Sequence, residues 1–183
     1  MKKKERIKGR AAAIIGMIAL ILISVPVGSC VSLARERGKV TVLYYGSDDE
    51  WGILEDLAWC SSQAANLVTL AGKYLPEQDA QVSAVRAARS DLEQADAPGE
   101  KAAAFSELTV KVNTLYNTLE ETEMKQEDAE YRDEIIADYN SNADFISRNE
   151  YNTRAAQFNE LLRTTPARPL AALVGIGEVE PFR

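Results

Sequence analysis

The residues able to attack, protonate or ligate are few in this chain, and their types exclude most catalytic constellations. There is no histidine, so the commonest general base and the commonest zinc ligand are both missing. Two cysteines, Cys30 and Cys60, are too few for a structural zinc site and provide no disulfide framework. Ser61, Ser62, Ser83 and Cys60 are the candidate nucleophiles. None stands in a Gly-x-Ser-x-Gly or Ser-x-x-Lys frame, and no glycine-rich phosphate loop is present. Cys60 falls on an apolar seam and reads as a small core residue.

Carboxylates, by contrast, are plentiful. Glu120, Glu123 and Glu127, or Asp128, Glu130, Asp133 and Glu134, hold enough oxygen to consider Ca²⁺, but they lack the EF-hand spacing and its central glycine. Two carboxyls aimed across a cleft would support glycoside hydrolysis. A narrow helical bundle offers little cleft, so these runs read as solvated helix surface. The expectation is a chain without catalytic, cofactor-binding or metal-binding residues.

Amides and phenols are the more informative polar groups. Asn66, Asn142, Asn152 and Asn159 lie on or beside apolar stripes. Asn152 and Asn159 are seven residues apart and so share one helix face. Either they form a polar pocket for a ligand or partner, or they are buried amides that fix helix register. Tyr74, Tyr139 and Tyr151 read as rings buried with a hydrogen-bonded hydroxyl. Stacking on a ligand is the alternative.

These groups must be positioned by helices. Ile53, Leu57, Cys60, Ala64, Leu67, Ala71 and Tyr74 recur at alternating steps of four and three, which is a heptad seam. Pro76 stops it, and Ser47 or Asp48 is its expected cap. A second helix is expected over about 77–95, anchored by Val82, Val85 and Leu92. Ala97-Pro98-Gly99 is a break. A third runs from Glu100 to about Lys125 on Phe105, Leu108, Val112, Leu115, Leu119 and Thr122. A fourth segment covers about 128–163. Its stripe of Tyr131, Ile135, Tyr139, Asn142 and Ile146 slips near Asn149 and resumes as Tyr151, Ala155, Phe158 and Leu162, so one helix or two is left open. The apolar run 170–176 is expected to pack back on the bundle. Lys39–Tyr45 is β-branched and aromatic and reads as a short extended piece. The fold class is therefore all-α: an antiparallel up-down bundle of about four helices.

Before the bundle lies a different kind of segment. Ala11 to Ala34 holds no charged residue, and about 20 apolar residues cross a hydrocarbon core about 30 Å thick. The first ten residues carry six basic side chains and one acid, which places them on the cytoplasmic side. Pro26 is expected to bend or end the helix near the outer interface. Three readings remain: an uncleaved anchor, a cleaved signal peptide, and a lipoprotein signal in which Val27-Gly28-Ser29 precedes a lipidated Cys30. Each puts the chain from about residue 35 onward outside the cytoplasm. The organisation is a basic cytoplasmic stretch at 1–10, a transmembrane anchor at 11–34, a juxtamembrane linker at 35–49 and the bundle at 50–183. With a whole-chain net charge of −7, everything after residue 10 is strongly acidic. That argues against nucleic acid as a partner.

Four stretches in order resemble the LemA family. They are Ala65-Asn66-Leu67-Val68 with Ala71-Gly72-Lys73-Tyr74; Val85-Arg86-Ala87-Ala88-Arg89; Tyr151-Asn152 with Ala155, Phe158 and Asn159; and the ending from Ala171, Leu173 and Gly175 to Pro181-Phe182. The resemblance covers about residues 50–183 and is to a divergent, Gram-positive-type branch. Ala65 stands where the family has proline, and Thr165-Pro166 stands where Phe-Pro is usual. The resemblance implies a membrane-anchored helical bundle of the bacterial cell envelope with no catalytic residues to carry over. The functional expectation is a protein-interaction or scaffold module with an unidentified protein or envelope partner. A carboxylate-dependent hydrolase of envelope polymers and an extracytoplasmic sensor are the alternatives. The oligomeric state is left open.

Overall fold

The structure, a computed structural model, describes residues 2–76 and 79–183, with side chains from residue 13 onward except those of residues 19, 22 and 23. Among the described residues it is all-helical with no strand. The order is α1 (Lys2–Tyr45), α2 (Ile53–Ala71), α3 (Ala80–Gln94), α4 (Pro98–Glu120), α5 (Gln126–Arg148), α6 (Tyr151–Thr164) and α7 (Arg168–Leu173). The chain divides into two compact units. One comprises residues 1–39 and 157–179, the other 40–156 and 180–183. Both α1 and α6 contribute to each.

The larger unit is a helical bundle built on α2 to α5. Its principal packed pairs are α2 with α5 and α3 with α4. The heptad seam is its core: Ile53, Leu57, Cys60, Ala64, Leu67 and Ala71 of α2 are all buried. Buried with them in this unit are Val82, Val85, Ala88 and Leu92 of α3, Leu108, Val112, Leu115 and Leu119 of α4, and Ile135, Tyr139 and Ile146 of α5, among others. Each helix buries one stripe and leaves its charged face in solvent. Tyr131, expected on the stripe, is exposed.

The helix ends differ from the sequence reading in instructive ways. Residues 40–45 are helical, the C-terminal end of α1. Val40 and Tyr44 are buried, and their spacing of four residues suits a helix face. Tertiary burial overrides the local strand preference of this run. Ser47 does not cap α2. Its hydroxyl accepts from the amides of Asp49 and Glu50 at 3.4 and 3.2 Å, closing a short turn. The cap is Gly52, whose N–H donates to the Glu55 carboxylate at 2.8 Å. A Cβ at Gly52 would stand 2.3 Å from the nitrogen of Gly46, itself at φ +77, so two glycines make this close approach feasible.

α2 ends at Ala71, before Pro76 is reached. The expected start of α3 at Glu77 lies outside the described residues. Asp79 caps that helix, accepting from Gln81 and Val82 at 2.8 and 3.2 Å. Pro98, read as part of a break, is the first residue of α4, where its missing N–H costs nothing. α4 stops at Glu120, short of the expected Lys125. The fourth segment is two helices. Asn149 separates them, its side-chain oxygen accepting the Tyr151 N–H at 2.8 Å.

The smaller unit holds most of α1, the end of α6, and α7. Pro26 lies inside α1 without ending it. Among the described residues, Leu33, Phe158, Leu162, Ala167, Ala171 and Ile176 are its buried apolar residues. Of the run 170–176, Leu170, Leu173 and Val174 stay exposed, so the expected burial is only partly realised. Among the described residues no helix is long and apolar enough to cross a membrane. The uncharged run 11–34 includes residues 11, 12, 19, 22 and 23, whose side chains lie outside that description.

Candidate functional site

Two of the candidate nucleophiles, Cys60 and Ser61, are buried in the bundle. Cys60 is fully buried, donates toward the Tyr139 carbonyl oxygen at 3.7 Å, and has its thiol pushed up to about 12 by burial and then by nearby Asp56. Ser61 faces Arg89, whose Nε donates to its carbonyl at 2.8 Å and its hydroxyl at 3.2 Å. Ser62 and Ser83 are exposed. No cluster of three acids or cysteines able to hold a metal occurs among the described residues.

The sequence-predicted polar residues fall into separate places. Asn66 is half-buried and donates to Gln63 Oε1 at 3.0 Å, and Gln63 donates to Asp138 at 3.3 Å. That relay joins α2 to α5. Tyr74 lies just past α2 and donates to Asp128, while Lys73 bonds the same carboxylate at 2.7 Å. The Tyr74 hydroxyl also accepts the Lys125 N–H at 3.3 Å. Those bonds, from Lys73 first and then Tyr74, hold Asp128 below the usual carboxylate range. Tyr139 is fully buried, hydrogen-bonded to Thr109 at 2.8 Å and stacked on Phe105. Burial pushes its phenol up. Asn142 donates to the Asp138 carbonyl on its own helix at 2.9 Å.

Asn152 and Asn159 do something the sequence does not disclose. In the larger unit Asn152 donates to the Phe182 carbonyl and accepts the Phe182 N–H, both at 2.7 Å. In the smaller unit Asn159 donates to the Val179 carbonyl at 2.8 Å and accepts its N–H at 2.7 Å. Each carboxamide imitates a strand neighbour for one tail residue. Both amides thus clamp the backbone of the tail.

One groove in the larger unit gathers two of the candidate residues. Tyr151 and Asn152 line it with Ile53, Phe105, Val110 and Phe182, around a volume of about 480 Å³. The Tyr151 hydroxyl donates to the Glu180 carbonyl at 2.6 Å, and burial pushes its phenol up to about 12. Tyr44 stands behind it, ring centroids 5.2 Å apart. Burial pushes its phenol up to about 12 as well, and its hydroxyl has no partner among the described residues. The groove carries no carboxylate. A second groove beside Leu57, Ser62, Arg89 and Lys101 carries one, Glu93, which Arg89 pairs at 3.3 Å. Sequence reasoning missed Tyr44, Arg89 and Thr109. It also passed over Trp51 and Trp59, two exposed indoles with ring centroids 6.4 Å apart.

No protein-family model matches this chain, and no curated protein matches it either.

Proposed function

We propose that the chain is a membrane-anchored helical protein whose acidic bundle stands outside the cytoplasm and serves as a protein-interaction or scaffold module, as the LemA-like stretches suggest. The observation that carries this reading is the surface of α1. Ile14, Ile15, Met17, Ile18, Leu20, Ile21, Val25, Val27 and Val31 are all roughly half exposed or more. They spread widely around one helix, and so broad an apolar surface needs an apolar surrounding. The uncharged run to Ala34 has the length for a bilayer.

Charge supports the same division. The unit holding most of α1 has eleven basic and four acidic residues, whereas the bundle unit has ten basic and twenty-four acidic. The basic half suits an anionic membrane surface, and the acidic half is repelled by it. Of the two bundle grooves described, one is lined by a single acid, Glu93, and the other by none, which gives no support to a pair of catalytic carboxylates there. Exposed Trp51, Trp59, Val110 and Phe145 on the bundle offer apolar contact for a partner.

Alkaline extraction of membranes followed by intact-mass measurement tests the anchor. The chain is expected in the pellet at its full mass of 20.1 kDa. A pelleted form lacking the first 29 residues and carrying lipid on Cys30 would replace the helix by a lipid anchor. Quantitative release into the supernatant would overturn the proposal.

A further inference from the structure

We infer that α7 is a second lipid contact, inserted beside α1 into the outer interface of the same bilayer. This rests on the anchored reading of α1 and adds a site to it. Within the smaller unit, Pro26, Val27, Cys30, Val31 and Ala34 lie along one face of α1. Leu170, Leu173, Val174 and Ile176 stand opposite, around a groove of about 580 Å³. Every residue on both walls is apolar or a thiol.

The tip of this element is unusually bare. Leu173 is 82% and Val174 65% exposed, whereas Ala171 between them and α6 is fully buried. The buried residue holds α7 in place, and the bare ones point away from the unit's core. Gly175, at φ +77, turns the chain back, and the Ile176 N–H donates to the Ala171 carbonyl at 2.9 Å. A tight turn thus presents two large aliphatic side chains at its apex.

The level of the groove identifies its occupant. Counting from Ala11, about 20 residues fill the hydrocarbon core, so Pro26–Ala34 straddles its outer boundary. Residues facing Pro26–Ala34 across a groove lie at that same boundary. The bare tip is then continuous with the apolar surface of α1 and not a separate patch. Charge agrees with this level. Past the anchor this unit carries Arg35, Arg37, Lys39, Arg163 and Arg168 against Glu36, Glu160 and Glu178. A basic excess at the headgroups favours anionic lipid. Arg163 forks onto Glu178 at 2.9 and 2.8 Å, tying the segment after the turn to α6.

Nitroxide depth measurement on the full-length chain tests this. Single cysteines replace Leu173, Leu20 or Ala103 in a Cys30→Ser, Cys60→Ala background. The protein is reconstituted in phosphatidylcholine vesicles containing a minority of phosphatidylglycerol. Helicity by circular dichroism is matched to the parent first. The Leu173 probe is expected to collide preferentially with oxygen, as Leu20 does but less strongly. The Ala103 probe, on the bundle, should prefer the aqueous nickel chelate. Leu173 in water with Leu20 in lipid overturns the α7 contact and leaves the anchor standing. Leu20 in water overturns the anchor itself. Dipolar broadening at Leu173 would show a second copy in the groove, which also overturns the lipid assignment.

Discussion

Replacing Asn159 by leucine tests the clamp that holds the tail in the smaller unit. The substitution removes two hydrogen bonds, of 2.8 and 2.7 Å, and strands both the N–H and the carbonyl of Val179. Each such bond contributes about 0.5–1.5 kcal/mol net. Asn159 and Val179 are both half-buried, so water partly re-pairs the stranded groups and the loss should be about 1–2 kcal/mol. That corresponds to a rise of about 5- to 30-fold in the local opening constant. Amide hydrogen exchange resolves it. Exchange at Val179 should accelerate by that factor, while the amides of Leu108 and Val112 in the bundle stay unchanged.

The Asn159→Asp variant sharpens the test. A carboxylate can still accept the Val179 N–H but faces the Val179 carbonyl with no proton to give. Its folded pKa is therefore raised. Stability is lost at neutral pH and returns as the pH falls through that folded pKa, because the protonated acid can donate again. Unchanged exchange at Val179 in both variants would refute the clamp. Equal acceleration in the bundle amides would instead make Asn159 a determinant of global stability.

Three further outcomes concern the larger unit. Asp56 is buried, and desolvation, with Glu55 beside it, holds its pKa above the usual value. The raised folded pKa makes ionised Asp56 a liability at neutral pH, so Asp56→Asn should raise Tm there. The gain should vanish as the pH falls below the ordinary carboxylate range, which parallel melts at the two pH values check. Leu115→Ala removes a fully buried side chain from α4 and should cost about 2–5 kcal/mol in denaturant titration. Cys60 should resist a maleimide in the native protein and react on unfolding, because its thiol is enclosed and pushed up to about 12. Native labelling read by peptide mass decides that.

The bundle core was legible because periodicity reports burial directly. The α2 seam from Ile53 to Ala71 is buried residue for residue. Helix ends were less so, since caps depend on single side chains. Asp79 caps α3 through two backbone amides, and Pro98 opens α4 where it looked like an interruption. Residues 40–45 were misread because Val, Thr and Tyr favour strands until a core claims Val40 and Tyr44. The amide clamps were half legible. The spacing of Asn152 and Asn159 announced a common helix face, but their partners lie in a tail without periodicity. No pattern in residues 177–183 declares that two asparagines will grip their backbone.

The proposed topology puts the acidic bundle outside the cytoplasm, tethered by α1. Ala103 is exposed on α4, so a cysteine there reports the side of the membrane. Intact cells carrying Ala103→Cys are treated with a membrane-impermeant maleimide, with the parent chain as the blank. Labelling at residue 103 without permeabilisation is the predicted result. Labelling that appears only after the cells are opened would overturn that topology.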